Sequence, residues 1–254
     1  MKLATVLTAV NTNDEYLQFI PNFIKHWKYL FPDIIIVIVL VSSKIPNEYK
    51  MYSKYIKLFP EIPNIPTAFQ AMCIRELYPC IIDVEGGILI TDIDMMPMNR
   101  SYYQDSIENI SDEKFVIYRD VLKDEYPMCY NIATSKIWSN VFGVSRIDDI
   151  KNTLIKLYEN LPKSSNYWEK IYFCNTDQKY LYKKLNDFNC KTGNLIKLND
   201  KICGFNRLDR IYMFNTVNKS DIKNRKYTDF HSYRKYQKDW KETNDIISKL
   251  LCED

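Results

Sequence analysis

Two carboxylates one residue apart, at the end of an apolar run, carry the clearest chemical signal in this chain. In Gly86-Gly87-Ile88-Leu89-Ile90-Thr91-Asp92-Ile93-Asp94-Met95-Met96-Pro97-Met98 the apolar residues lead into Asp92 and Asp94, and Met96-Pro97 breaks the strand. If the segment stays extended the two side chains point the same way, because strand side chains alternate with period two. Two hard carboxylates at a strand exit can hold Mg²⁺ or Mn²⁺ on a diphosphate. The plain alternative, in a chain with 32 acidic residues, is a solvated turn. Mn²⁺ also accepts imidazole, so a histidine brought in from elsewhere would be informative. The chain has two histidines. His26 sits in a helical pattern and reads as a partly buried or surface residue rather than a ligand. His231 lies in Tyr227-Thr228-Asp229-Phe230-His231-Ser232-Tyr233-Arg234-Lys235, where its plain reading is a surface histidine in a basic, tyrosine-rich tail.

An apolar strand ending in Asp-x-Asp resembles the signature of metal-dependent, nucleotide-sugar glycosyltransferases of the GT-A fold. That resemblance spans about Lys2 to Arg234 and implies an α/β fold: a single GT-A (Rossmann-like) domain with a mixed, mostly parallel central sheet flanked by helices. By resemblance Asp92, Asp94 and His231 are metal ligands, and Arg234 or Lys235 contacts the diphosphate. Thr67 to Pro79 is similar to the family's helix before the Asp-x-Asp strand. From it Gln70 and Arg75 would face the donor, Arg75 contacting the nucleotide-sugar or bracing the aspartates; its plain reading is an ion pair with Glu76 or Asp83. Asn131, in Tyr130-Asn131-Ile132-Ala133, would bind donor hydroxyls, although Ala133 stands where the family often has glycine. Asp177, in Asn175-Thr176-Asp177-Gln178, would bind acceptor hydroxyls or take the attacking proton; otherwise it is an acidic helix start that suits the macrodipole. Thr8, Ala9, Val10 and Asn11 occupy the place where such enzymes hold the nucleobase through backbone groups. The resemblance implies a UDP-sugar donor, with GDP second, Mn²⁺ or Mg²⁺ as cofactor, and a glycan or glycoprotein acceptor. Within the family the chain looks like the small, soluble domains encoded by large DNA viruses, which act in viral glycan synthesis. A cytoplasmic location, host cytoplasm or virion if viral, goes with that reading.

Composition narrows the classes. With 254 residues, 46% hydrophobic and 14% aromatic, the chain can bury a sizeable core in one large domain, expected over 1–235, with 236–254 as an amphipathic C-terminal helix packed on it or leading onward. Five glycines, none in a Gly-rich phosphate loop, mean that a diphosphate must be neutralised by metal and basic side chains. A net charge of +3 is too balanced to argue for nucleic acid, although Lys219 to Lys241 is locally basic. Seven scattered cysteines without a C-x-x-C pair read as free thiols of a reducing compartment. The longest apolar run, Ile34 to Val41, is too short to span a bilayer.

These residues need a frame. Leu3–Val10, Ile34–Val41, Ile88–Thr91, Phe115–Tyr118 and Met128–Ala133 read as strands. Glu15–Leu30, Tyr49–Phe59, Thr67–Leu77, Ser135–Phe142, Ile147–Leu161, Asp177–Leu185 and Asp239–Leu251 read as helices. Alternating strands and helices imply an α/β sheet whose ligands sit at the carboxyl ends of the strands, where Asn11, Ser43, Asp92 and Asp94 fall. Two other functions share these features. A haloacid-dehalogenase-type phosphohydrolase uses Asp-x-Asp with the first Asp as nucleophile, but near the N-terminus and followed by Gly/Thr-type residues. A non-catalytic carbohydrate-binding module could stack sugars on some of the 20 tyrosines.

Overall fold

Apolar runs too short for helices pair into strands, and the amphipathic stretches between them cover the resulting sheet. The computed structural model describes residues 1–161, 175–200, 204–211, 217–236 and 238–252. The main sheet contains β1 (Leu3–Asn11), β2 (Ile35–Val41), β3 (Ile56–Phe59), β4 (Gly87–Ile90), β6 (Phe115–Ile117), β7 (Asn131–Thr134) and β8 (Leu195–Lys197). Its order is β3-β2-β1-β4-β7-β6-β8. The strands run parallel except β7, which is antiparallel to both β4 and β6. β1 lies at the switch point, with β2 on one side and β4 on the other. A crevice is expected beyond the carboxyl ends of strands at such a point.

Helices α3 (Thr67–Leu77), α5 (Ser135–Phe142), α6 (Ile147–Glu159) and α7 (Thr176–Thr192) close one apolar layer. α2 (Ile20–Leu30) and α4 (Arg100–Gln104) close the other, around Phe23, Trp27, Tyr102 and Tyr103. Tyr103 stacks edge-on against Tyr130 at 5.0 Å, and Tyr118 packs beside them, so these tyrosines are core rather than sugar platform. Trp138 Nε1 donates to the Ile88 carbonyl at 3.1 Å and pins α5 to β4. The Ile132 side chain of β7 crowds Gly87 on β4: a Cβ there would come within 2.6 Å of Ile132 Cδ1.

A second sheet, absent from the sequence reading, joins β5 (Met95–Pro97), β10 (Tyr227–His231) and β9 (Asn206–Leu208) in the order β5-β10-β9. β10 is antiparallel to β5 and parallel to β9. α8 (Lys219–Lys223) and α9 (Trp240–Cys252) supply Ile222, Ile247 and Leu251 to the small core beneath it. α9 is tied back to the body by a reciprocal pair between Asn244 and the Tyr233 backbone, both 2.9 Å, and by Ser248 against His26 at 3.0 Å.

Elsewhere the expected elements shift. The stretch expected as one helix from Glu15 splits into α1 (Asp14–Leu17) and α2, because Pro21 cannot continue a helix but fits its first turn. Asn13 caps the first piece, its side chain accepting from the Glu15 amide. Tyr49–Phe59 is a 3₁₀ segment over Asn47–Tyr55 followed by β3, whose β-branched and aromatic ends are buried against β2. No helix among the described residues is long and apolar enough to cross a membrane.

Candidate active site

The register between β5 and β10 decides where the chemistry sits. Phe230 faces Met96 and His231 faces Met95, so His231 arrives one residue from Asp94. The Ser232 amide donates to the Asp94 carbonyl at 2.9 Å and locks that approach. The Asp-x-Asp segment itself is not extended. The chain turns at Ile93–Asp94, between β4 and β5, and the Met95 amide returns to the Asp92 carbonyl at 3.3 Å. The two carboxylates therefore serve two different neighbourhoods, contrary to the period-two expectation, while lining one cavity of about 450 Å³.

Asp94 is 2% exposed, and three basic side chains converge on its Oδ2: Arg210 at 2.9 Å, Arg234 at 3.0 Å and His231 Nε2 at 3.4 Å. Burial would raise this carboxyl; the hydrogen bond and charge of His231, with Arg234 and Arg210, outweigh it and hold Asp94 well below the usual carboxylate range. Burial would likewise lower the His231 imidazole, but its contacts with Asp209 and Asp94 leave it raised. Arg234 also lies over the Tyr16 ring, 5.1 Å from its centre.

Asp92 turns the other way, to Arg75. The Arg75 guanidinium pairs with Asp92 and, at 2.8 Å, with Asp177 Oδ2, while its Nε donates to the Met72 carbonyl at 3.1 Å. Arg75 thus braces two acids rather than pairing with Glu76 or Asp83. Burial pushes the Asp177 carboxyl up, and Arg75 and the Gln178 amide pull against it. Glu76, on the buried side of α3, is pushed well up by burial.

Of the candidate site residues, Ala9, Val10, Asn11, Arg75, Asp92, Asp94, Asp177, His231 and Arg234 line the cavity. Four expected residues do not. Thr8 is fully buried within β1. Gln70 spends its amide on the Ile62 backbone (2.9 and 3.1 Å) and the Ile65 carbonyl (2.8 Å), holding the loop before α3. Asn131 donates to the carbonyls of Pro127 and Met128 at 2.8 and 3.1 Å, shaping the turn that forms one wall of the cavity. Lys235 is exposed and outside the lining. His26 is buried against Ser248 and Cys252, far in sequence from the metal-ligand candidates.

Sequence reasoning missed Tyr16, Gln178, Arg210 and the Pro127–Cys129 wall. A signal for Arg210 did exist: in Arg207-Leu208-Asp209-Arg210 the charges flank the buried Leu208, and each charge meets an acid or a histidine. Arg207 pairs with the buried Asp229 at 2.7 Å, Asp209 faces His231 Nδ1 at 3.5 Å, and Arg210 meets Asp94.

Carboxylate oxygens and an imidazole nitrogen suit Mn²⁺, and the carboxylates suit Mg²⁺. Asp94 and His231 already face each other, and Asp92 lines the same cavity. The donor set therefore fits a divalent cation chemically. The expected triad is nevertheless not closed: among the described residues no three acidic, cysteine or histidine side chains are grouped to hold a metal, because Asp92 is drawn to Arg75. A larger, more open hollow of about 770 Å³ lies away from the two aspartates, around Gly86 and Thr134. Asp83, Glu85, Asp112 and Glu113 outnumber its one cation, Lys136, so it would repel a diphosphate.

No family model and no curated protein matches the chain. Among solved structures, the galactosyltransferase LgtC in complex with donor and acceptor sugar analogues is similar with a TM-score of 0.52 and 13% identity, over 98% of this chain and 97% of that one. The glycosyltransferase GlyE of Streptococcus pneumoniae TIGR4 is similar with a TM-score of 0.52 and 14% identity, over 98% of this chain and 63% of that one. The fold is accordingly of the GT-A glycosyltransferase type.

Proposed function

We propose that this chain is a metal-dependent glycosyltransferase that moves a sugar from a nucleoside-diphosphate sugar, a UDP-sugar first and a GDP-sugar second, to a glycan or glycoprotein hydroxyl. The observation that carries this reading is the β5–β10 register, which delivers His231 and Arg234 to Asp94 inside the cavity that β1 opens at the sheet's switch point. The backbone of Ala9–Asn11, beside Tyr16, is the place for the nucleobase and ribose. Arg210 and Arg234 are matched in geometry to phosphate oxygens, since guanidinium forks bind them in pairs. Asp92, Asp94 and His231 would hold Mn²⁺ or Mg²⁺. A bound divalent cation supplies Lewis-acid stabilisation of the charge that grows on the leaving diphosphate.

Charge balance supports the same reading. Three arginines in the lining (Arg75, Arg210, Arg234) oppose three aspartates (Asp92, Asp94, Asp177). A divalent cation and a diphosphate diester cancel each other, so both enter without leaving net charge in a partly buried site. Asp177, held by Arg75 and by the Gln178 amide, is fixed in place to accept a hydrogen bond or proton from a sugar hydroxyl. Burial raises it from the ordinary carboxylate range, which makes it a better base than a solvated aspartate.

The phosphohydrolase reading needs Asp92 as a free nucleophile, yet Arg75 occupies it. The binding-module reading does not account for so many charges converging on Asp94. Calorimetry tests the proposal: UDP and GDP are titrated with and without Mn²⁺ into wild type and Asp94→Ala. Metal-dependent binding of one nucleotide, lost in the variant while its circular dichroism is unchanged, is the expected result. Equal Mn²⁺-dependent affinity in the two proteins would refute the site.

A further inference from the structure

We infer that Asn244 is a positioning residue for Arg234: its side-chain amide holds the Tyr233 backbone and so sets where the next guanidinium stands in the proposed donor site. The inference takes its ligand from that reading and its geometry from the end of β10. The ladder with β9 has its last pair at Phe230 and Leu208, and the ladder with β5 at His231 and Met95. The Ser232 amide then reaches the Asp94 carbonyl at 2.9 Å. One residue on, α9 supplies the partner. Asn244 Oδ1 accepts from the Tyr233 amide and Asn244 Nδ2 donates to the Tyr233 carbonyl, both at 2.9 Å. A side-chain amide thus offers Tyr233 the donor and acceptor that a neighbouring strand would. Arg234 follows directly, with Nε at 3.1 Å and Nη2 at 3.0 Å from Asp94 Oδ2.

Docking of α9 does not call for an asparagine. The helix buries Asn244, Ile247, Ser248 and Leu251 at helical spacing. Ile247 and Leu251 join the small core with Met96, Leu208, Ile222 and Phe230. Ser248 meets His26 at 3.0 Å and accepts from Lys25 Nζ at 3.2 Å, and Arg225 Nη2 donates to the Leu251 carbonyl at 3.4 Å. Asparagine is a weak helix former, and a buried amide costs free energy unless its polar atoms are paired. Asn244 is 3% exposed, and its amide pairs with the residue before Arg234.

The Tyr233 carbonyl belongs to the planar peptide that ends at the Arg234 Cα, so holding its oxygen fixes the point from which the guanidinium extends. The Tyr233 ring packs on Phe230, with centroids 5.9 Å apart, so side chain and backbone of this residue are both anchored. A paired contact from a guanidinium to phosphate oxygens tolerates errors of only about 0.5 Å. Asn244→Leu keeps the helix and most of the volume but takes the amide away. Asn244→Asp keeps the acceptor for the Tyr233 amide and loses the donor to its carbonyl.

The experiment pairs metal-free nitrogen-15 relaxation of the Arg234 Nε–H group with calorimetry of UDP in the presence of Mn²⁺. The Nε–H group is expected to be ordered in wild type and mobile in Asn244→Leu, with circular dichroism unchanged. Calorimetry covers wild type, Asn244→Leu, Arg234→Met and the double variant. With Arg234 present, Asn244→Leu is expected to weaken UDP binding by about 10- to 100-fold. With Met at 234 the same change is expected to cost less than about 2-fold, because an effect carried through one side chain disappears with it. Asn244→Asp is expected to fall between wild type and Asn244→Leu. The same fold-loss in both backgrounds, as a merely structural role requires, would overturn the inference, and so would an Nε–H group equally ordered in wild type and Asn244→Leu. If Asn244→Leu did not fold, Asn244→Asp would carry the same cycle with the same two outcomes. If wild type bound no nucleotide with any cation, the donor-site reading would fall on its own, and the relaxation comparison would still decide whether Asn244 holds Arg234.

Discussion

Replacing Arg75 by methionine removes one guanidinium and strands two acids. The cost divides unevenly between them. The Asp92 side chain is 31% exposed, so water compensates it and its share is small. Asp177 is 2% exposed and keeps the Gln178 amide as a donor but no cation, so nearly the whole penalty falls there. Removing one partner of a buried pair costs about 3–5 kcal/mol. For a domain of this size each kcal/mol shifts Tm by about 2–4 °C, so a drop of about 6–20 °C is expected near neutral pH. The pH dependence gives the sharper test. Without Arg75 the folded-state pKa of Asp177 rises further above its unfolded value. A raised group contributes stability that is fully present below the unfolded pKa and is lost as pH rises through the folded pKa. The gap between Arg75→Met and wild type should therefore be small in acid and widen as pH increases. Thermal unfolding of both proteins across pH 4 to 8 measures it. A gap below about 1 kcal/mol at neutral pH, within the range of ordinary surface ion pairs, or one independent of pH, would refute the argument that Arg75 neutralises a buried acid.

Other substitutions probe separate parts of the frame. Burial lowers His26 to about 3, with Lys25 adding to the effect, from an unfolded value near 6.5. Wild type should therefore lose stability as pH falls through that window, by at most about 5 kcal/mol, and His26→Gln should flatten the slope in urea unfolding between pH 7 and 4. Gly87→Ala drives a methyl into Ile132 and should cost about 1–3 kcal/mol by chemical denaturation. Gln70→Ala leaves backbone groups of Ile62 and Ile65 without their side-chain partner, so a loss of about 1–3 kcal/mol is expected with Mn²⁺-dependent nucleotide affinity retained; a selective loss of affinity would return Gln70 to the donor site.

Much of the large sheet could be read from local pattern. Ile34–Val41 is a continuous apolar run, as a strand covered on both faces requires, and Thr67–Leu77 and Ser135–Phe142 appear at the bounds expected from periodicity and flanking prolines or caps. The second sheet was hidden because its strands are short and paired across long separations. Met95–Pro97 contains a proline that reads as a strand breaker, yet Pro97 can sit at the strand's end without donating to the ladder. The site shows the same division. Asp92, Asp94 and Asp177 are marked by local context, but the turn that sends the two neighbouring acids to different partners depends on Arg75 and His231, 17 and 137 positions away respectively. Gln70 and Asn131 share the residue type of a sugar-binding amide. Only their backbone partners reveal that they shape loops instead.

The β5–β10 ladder also sets when the site can exist during synthesis. Asp94 emerges from the ribosome 140 residues before Arg234 and 137 before His231. Every strand of the large sheet has been made by Lys197, while β10 has yet to appear. A nascent chain stopped between those points can assemble the scaffold, but its Asp94 carboxylate lacks His231 and Arg234. On the proposed reading, cation and nucleotide capture would therefore be completed only once Tyr227 to Arg234 have been made, and a chain cut short before Tyr227 would lack His231 and Arg234.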